Sequence, residues 1–359
     1  MPTSSATLFS RAWLESWLTR EWQRNSWWQL LLRPLSWLFA LGVALRRWSF
    51  RLGLRSSTRI DAPVIIVGNI TVGGSGKTPL VLALVEMLRT RGYRPGVVSR
   101  GYGSNRVVAR SDPAIEVDVA RPDAAAVFGD EPLLLAGRLG CPVFIGRDRA
   151  VAARALRKRH PEVDVVIGDD GLQHYALARD IEIAVLDGSQ GVGNGVLLPA
   201  GPLREPVSRL ESVDAIAVYG NGRSFGGRTL PTFAISLGAE RLINLRSGQQ
   251  LGVAEFIAAV GGKRIHALAG IARPQRFFAH LQRLGLRTNN HPFADHHRFS
   301  AGDLALPDGD LILMTEKDAV KCMAFADARC WYLRVDAELP AAFHELILQR
   351  LRSIKSRRH

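Results

Sequence analysis

An α/β layer fold around a parallel sheet is predicted for most of this chain, and three observations predict it. From Ala62 onward, apolar runs of strand length alternate with stretches of helical character. One of those runs feeds a glycine-rich turn that opens a helix. The chain has 359 residues, 47% of them hydrophobic, which is enough to bury one large or two medium cores.

Strands are expected at Val64–Val67, Pro95–Ser99, Val143–Gly146, Val163–Ile167, Ile181–Leu186 and Ala215–Tyr219. Helices are expected at Pro79–Arg91, Pro132–Arg138 and Arg149–Arg159, with Gly92 capping the first. The stretch Gly220–Gly227 is glycine-rich and reads as a linker. Beyond it, Thr232–Leu237 and Arg241–Leu245 are expected to form a short hairpin. Strands at Arg264–Ala269, Leu311–Met314 and Trp331–Val335 and a helix at Pro274–Leu284 follow. The pattern divides the chain into an N-terminal segment (1–60), a core unit (61–220) and a smaller α/β unit (221–359).

The N-terminal segment has its own composition. Seven of the eight tryptophans fall in the first 48 residues, and nine arginines face only Glu15 and Glu21 in the first 60. Tryptophan suits the headgroup layer of a bilayer, and arginine is drawn to anionic lipid. The longest uncharged run, Pro34–Leu45, is too short to span, because a crossing takes about 20 apolar residues. Extending it backward takes in Arg33 and Pro34. Helices lying in an anionic membrane surface are the expectation.

The formal net charge of +14 favours anionic partners. No helix-turn-helix, RNA-recognition or zinc-finger signature accompanies it, so no nucleic-acid partner is expected. Three cysteines without a CxxC spacing exclude a disulfide framework and point to a reducing compartment.

Residues 64–80 read VIIVGNITVGGSGKTPL. Backbone N–H groups of such a turn cradle phosphate, so Thr71, Val72, Gly73, Gly74, Ser75, Gly76, Lys77 and Thr78 are the expected nucleotide-binding residues. Lys77 would reach the terminal phosphates of ATP, and the Thr78 hydroxyl would bind Mg²⁺. The stretch departs from the GxxxxGK[ST] phosphate-loop pattern at Thr71, which stands where the first glycine belongs. About 90 residues on, the apolar strand in VDVVIGDDGLQH ends in Asp169 and Asp170, placed as Mg²⁺-binding carboxylates of a P-loop NTPase-like core.

Seven segments in order make the pattern specific. They are VGNITVGGSGKTP, SRGYG, GDEP, DDGLQH, NGVLLPAGPLRE, FADHHRF and MTEKDAVK, all lying within residues 62–321. In these the chain closely resembles the tetraacyldisaccharide 4′-kinase family of lipid A biosynthesis. The resemblance implies two α/β/α units joined by a short β linker, with nucleotide and lipid between them. It implies ATP-dependent phosphorylation of the 4′-hydroxyl of a tetraacylated disaccharide 1-phosphate, giving lipid IVA. It places the enzyme at the cytoplasmic face of the bacterial inner membrane, docked through its N-terminus.

It also implies roles. Asp130 of GDEP, which alone reads as a helix N-cap, becomes the base for the sugar hydroxyl, and His296 its orienting partner. Arg204 would stabilise phosphate charge, and Glu205 would assist Asp169, Asp170 and Thr78 with the metal. Tyr102 and Asn194 would position the sugar or phosphates, Arg100 would meet the 1-phosphate, and His174 would contact phosphate or metal. Glu316-Lys317-Asp318 resembles a nucleotide-side motif. A P-loop ATPase that only switches partners would need no such base as Asp130.

Overall fold

The computed structural model describes residues 17–18, 20–73, 76–101, 114–121, 123–220, 230–307 and 310–358. Its architecture is α/β around a mostly parallel sheet. In the first half the strands are β1 (Val64–Gly68), β2 (Pro95–Ser99), β3 (Ile115–Glu116), β4 (Val143–Ile145), β5 (Val165–Asp169), β6 (Ile181–Asp187) and β7 (Ala215–Tyr219). They are followed by β8 (Thr232–Asn244), β9 (Gln250–Gly252), β10 (Ile265–Ala269), β11 (Thr288–Pro292), β12 (Leu311–Thr315) and β13 (Cys330–Glu338). The order across the sheet is β11-β10-β12-β13-β8-β7-β6-β1-β5-β2-β4-β3, with β9 on β8.

Alternation of side chains decides which face each residue serves. Ile65, Val67, Val165, Ile167 and Ile183 point to one face, where helices α2 (Lys77–Thr90) and α4 (Asp130–Leu139) cover them. Their neighbours Val64, Ile66 and Val166 point to the other, under α5 (Arg149–Arg159). The short α3 (Ala124–Phe128) precedes α4. In the second half, α6 (Val253–Val260) and α7 (Pro274–Arg283) pack through Phe256, Phe277, Phe278 and Leu281 on one face. Helix α8 (Glu316–Cys322) lies on the other through Ala319 and Cys322.

Strand β8 replaces the expected hairpin at 232–245. It runs unbroken for 13 residues and pairs parallel with β7 over its first part. Over the rest it pairs antiparallel with β13. Turning is unnecessary because each part finds its own partner, and Gly238 admits the Glu338 side chain. A Cβ on Gly238 would stand 2.6 Å from Glu338 Oε1.

The register of β8 fixes the site. Ile235 is opposite Tyr219, the last residue of β7, and Ser236 is opposite Glu338, the last of β13. The C-terminal ends of both parallel strand sets therefore meet at the middle of one strand. Ligand loops of parallel sheets lie at those ends. Here two sets of such loops face each other across a cleft.

Two segments depart from their expected places. Helix α9 (Ala341–Arg358), grouped by sequence with 221–359, returns to the first half. It buries Phe343, Ile347, Leu348 and Leu351 in the core containing Leu80 and Leu84. Near the N-terminus, α1 (Trp27–Arg51) is one 25-residue helix that continues through Pro34. It is long and apolar enough to cross a membrane by length and composition, yet it leaves Trp27, Leu31, Trp37, Leu41 and Trp48 exposed. Its buried residues are polar: Gln29 and Ser36. The linker expected at 220–227 lies, past Gly220, outside the described residues.

Phe343 is fully buried and meets Phe233 edge-to-face at 5.3 Å. Phe343→Ala should cost about 3–5 kcal/mol through lost transfer energy and the cavity left behind. A urea midpoint unchanged from the parent would show that α9 does not belong to the first core.

Candidate active site

The cleft has a volume of about 1210 Å³. Its walls come from both halves and from α1. Lys77, Thr78, Arg100, Asp169, Asp170, Arg204, Glu205 and His296 all line it. The turn between β1 and α2 is tied down from its far side. Thr71 forms an antiparallel bridge with Leu203, Val72 N–H donates to Pro202 O at 2.9 Å, and Arg204 N–H to Ile70 O at 2.7 Å. An extended bridge residue needs no glycine, which accounts for Thr71. The same pairing delivers Arg204 to the turn. At the helix start, Gly76 has φ +82° and a Cβ there would meet the Tyr219 ring at 2.6 Å, so only glycine fits. Gly74 and Ser75 lie outside the described residues.

Asp169 ends β5 and Asp170 follows it, but the two stand in different electrostatic surroundings. Asp170 has Lys77 Nζ at 3.4 Å and Arg204 Nη1 at 3.3 Å. Burial would raise its pKa, but Lys77, Arg204 and Arg149 outweigh burial and hold it below the usual carboxylate range. Asp169 is buried, with only Ser99 Oγ at 3.4 Å on Oδ2 and no hydrogen-bond partner on Oδ1. Burial, then the charges of Glu131 and Asp170, push it up to about 7.

Asp130 opens α4 beneath the cleft, 4% exposed. His296, between β11 and β12, places Nδ1 3.0 Å from its Oδ2 and 3.1 Å from its Oδ1. Lys317 Nζ stands 3.6 Å away and Lys321 Nζ 3.9 Å away, both from α8. Burial would raise Asp130, but the His296 hydrogen bond and the lysines prevail, so its pKa is depressed. The same hydrogen bond raises His296 above the ordinary imidazole value. Lys317 also meets Glu131 at 3.0 Å, and Arg138 pairs with Glu316 at 3.1 Å and with Asp336.

Other expected residues are placed differently. His174 accepts Arg149 N–H on Nε2 at 3.1 Å and lies 3.2 Å from Asp148, so it pins the start of α5 and does not line the cleft. Burial and then Arg149 lower its pKa, keeping the imidazole neutral as that acceptor requires. Asn194 is also away from the cleft wall. Its amide donates to Gln29 Oε1 at 3.2 Å and Ala200 O at 2.9 Å, docking α1 on the 194–200 loop. Both oxygens of Glu205 have protein partners, Tyr175 on one and Gln173 at 3.2 Å on the other. Tyr102 lies outside the described residues. Helix α1 closes one side of the cleft with Leu38, Phe39, Gly42, Val43 and Arg46.

Residues 28–352 match the family model of tetraacyldisaccharide-1-P 4′-kinases. A tetraacyldisaccharide 4′-kinase of Methylobacillus flagellatus is 47% identical over 336 residues, 93% of this chain and 96% of that one. One from an Azoarcus species is 51% identical over 331 residues, covering 90% and 92%. The chain belongs to the tetraacyldisaccharide-1-P 4′-kinase family. The crystal structure of LpxK from Aquifex aeolicus in complex with ATP is similar, with a TM-score of 0.74 at 26% identity, covering 90% of this chain and 99% of that one.

Within this kinase fold the carboxylates at and beneath the cleft are surrounded by groups that the family motifs alone did not single out. Glu131 and Arg149 bear on Asp169, and Lys321 on Asp130. Glu131 and Lys321 sit inside quoted motifs, GDEP and MTEKDAVK, so their signal was present but unassigned. Arg149 was visible only as the first residue of a predicted helix.

The Asp130–His296 pair makes stability depend on pH with a defined sign. A raised imidazole contributes fully below its unfolded value of 6.5 and loses that contribution as pH rises through its folded pKa. A depressed carboxyl contributes above 3.8 and loses it as pH falls through its folded pKa. Urea unfolding of the parent and His296→Gln should therefore differ most between pH 3.8 and 6.5. That difference should shrink toward alkaline pH; a gap that stays constant to about pH 10 would sink the pairing.

Proposed function

We propose that this chain transfers the γ-phosphoryl group of ATP to the 4′-hydroxyl of a tetraacylated glucosamine disaccharide 1-phosphate, giving the 1,4′-bisphosphate lipid IVA. The observation that carries the reading is His296, which lines the same cleft as Lys77 and is paired with the buried Asp130 beneath it, inside a chain of this family. The relative from Aquifex aeolicus was crystallised with ATP, which supports the nucleotide assignment.

In this reading the P-loop turn and Lys77 hold the phosphates, and Arg204 adds charge beside them. A bond forms between the sugar oxygen and the γ-phosphorus, the bond to the ADP oxygen breaks, and the hydroxyl proton passes to the Asp130–His296 pair. Asp130 alone is a weak base, since two lysines and an imidazole lower its pKa. Its hydrogen bond raises the basicity of His296. The proton is best assigned to the pair, a refinement of the expectation that Asp130 is the base and His296 only its orienting partner.

The residues fit Mg²⁺. Asp169 Oδ1 is a buried oxygen without a partner, and a cation beside it would restore the charged form that burial disfavours. Thr78 and Asp170 line the same wall. No cluster of three or more metal-ligating side chains forms among the described residues, in keeping with an ion that takes few protein ligands and several from phosphate and water. Bound there, Mg²⁺ would neutralise charge on the transferring phosphates.

The acceptor is amphipathic, and α1 suits it. Contacts at Gln29, Ser36 and Phe50 hold the helix against the kinase core over about 32 Å, taking 1.5 Å per residue. A helix held along that length lies on the bilayer in preference to crossing it. Its exposed tryptophans and leucines would sit among headgroups of the cytoplasmic leaflet of the inner membrane, while Leu38, Phe39 and Val43 border the cleft. The acyl chains then stay near lipid as the sugar reaches the phosphates.

Asp130→Asn and His296→Gln should each lower kcat by roughly 10²–10⁴-fold, with ATP affinity little changed. Because they act as a unit, the double variant should be scarcely worse than either single one. Additive losses in a lipid phosphorylation assay would contradict a shared proton acceptor. Replacing both Trp37 and Trp48 by Glu should release the chain from vesicles containing anionic lipid. Undiminished co-sedimentation with those vesicles would count against docking through α1.

A further inference from the structure

The loop after β10 carries Arg273 into the cleft at the start of α7. Its backbone is anchored. Gly270 N–H donates to the buried Asp318 carboxylate at 2.9 Å, and Gly270 O accepts from His296 N–H at 3.2 Å. The segment that presents Arg273 is thus bonded to the segment that presents His296.

The Arg273 side chain is 20% exposed and reaches the first half. It donates from Nη1 to Asp187 Oδ2 at 3.1 Å and from Nη2 to Gln190 Oε1 at 2.5 Å. Nη2 also lies 3.4 Å from where a Cβ would stand on Gly73, in the phosphate turn. An arginine has five N–H donors, so two bonds leave three for another acceptor. Nor is Arg273 needed to neutralise Asp187. Arg276 already pairs with it at 2.5 Å and is half-exposed. Two guanidinium groups face one carboxylate here, leaving positive charge at the edge of the turn.

We propose that Arg273 is a catalytic arginine supplied across the cleft by the second half: its free N–H groups bind the terminal phosphates of the nucleotide and stabilise the charge on the moving phosphoryl group. Asp187 and Gln190 hold its fork in orientation. The proposal rests on the reading that the turn ending in Lys77 and Thr78 binds ATP.

The test uses full-length Arg273→Ala, Arg273→Lys, Arg276→Ala and Lys77→Ala. Turnover on tetraacyldisaccharide 1-phosphate in detergent micelles is measured beside calorimetric binding of ADP, with and without fluoroaluminate as a mimic of the transferring phosphoryl. Arg273→Ala should lower kcat at least about 100-fold, leave ADP affinity within about threefold, and abolish the tightening that fluoroaluminate gives the parent. Arg273→Lys keeps the charge and the Asp187 pair, so it should fold as the parent does. It should still lose at least about tenfold, because an ammonium lacks the fork. Arg276→Ala, which removes the other Asp187 ion pair, should stay within about fivefold of the parent. Arg273 variants that fall no further than Arg276→Ala, or that keep the fluoroaluminate effect, overturn the proposal. Lys77→Ala separates this from failure of the underlying reading: unchanged nucleotide binding and turnover in that variant would remove the turn from the site altogether.

Discussion

Asp130 is a buried carboxylate whose compensating charges all come from elsewhere in the chain. It lies on α4 of the first half, while His296, Lys317 and Lys321 belong to the second. Removing one partner from a buried ion pair leaves an uncompensated charge and costs several kcal/mol. The two halves are therefore held in register by the same contacts that assemble the Asp130–His296 pair. Strand β8 makes that register possible, because the C-terminal ends of both parallel sets converge at Ile235 and Ser236.

The cleft also divides its charge by place. Asp170 is matched within the first half by Lys77 and Arg204. Asp169, one residue earlier, is buried and carries an unpartnered oxygen. In the proposed reading, a triphosphate with a divalent cation would complement both features, its anions meeting the lysine and arginine and its cation the spare carboxylate. Helix α1 is attached separately: Gln29 and Ser36 fix it to the core, with the Ser36 hydroxyl donating to Leu197 O at 2.9 Å. Its apolar side is left outward.

What could be read in the sequence was local. Strand runs and the glycine-rich turn are written in consecutive residues, and the strands and the helix that the turn opens stand where expected within a few positions. Pairings between distant segments were not legible. The halves of β8 looked like a hairpin because their separate partners, β7 and β13, lie on either side in sequence. Asp130 and His296 are 166 residues apart, and only the family resemblance joined them before the structure did. Asn194 and His174 sit in motifs as distinctive as those of the cleft, yet their side chains fasten backbone. Motif membership alone therefore does not separate a residue that touches substrate from one that holds the scaffold. Pro34 misled for a different reason: one lost backbone bond is tolerated when the rest of a 25-residue helix and its docking contacts persist.

Backbone strain bears on this division. Among the described residues only Asp170, at φ 49°, and His296, at φ 58°, are non-glycine residues in the left-handed region. Each such residue costs about 1–2 kcal/mol. Both line the cleft, one from each half, and both are held by partners that over-determine them: Lys77 and Arg204 on Asp170, Asp130 and Gly270 on His296. Relaxing either backbone would turn its side chain away from those partners. The strain is tolerated because the ion pairs compensate it, so the geometry is set before any ligand arrives. That is the arrangement a phosphoryl transfer enzyme needs, since positioning and fixed charge supply nearly all of its catalysis.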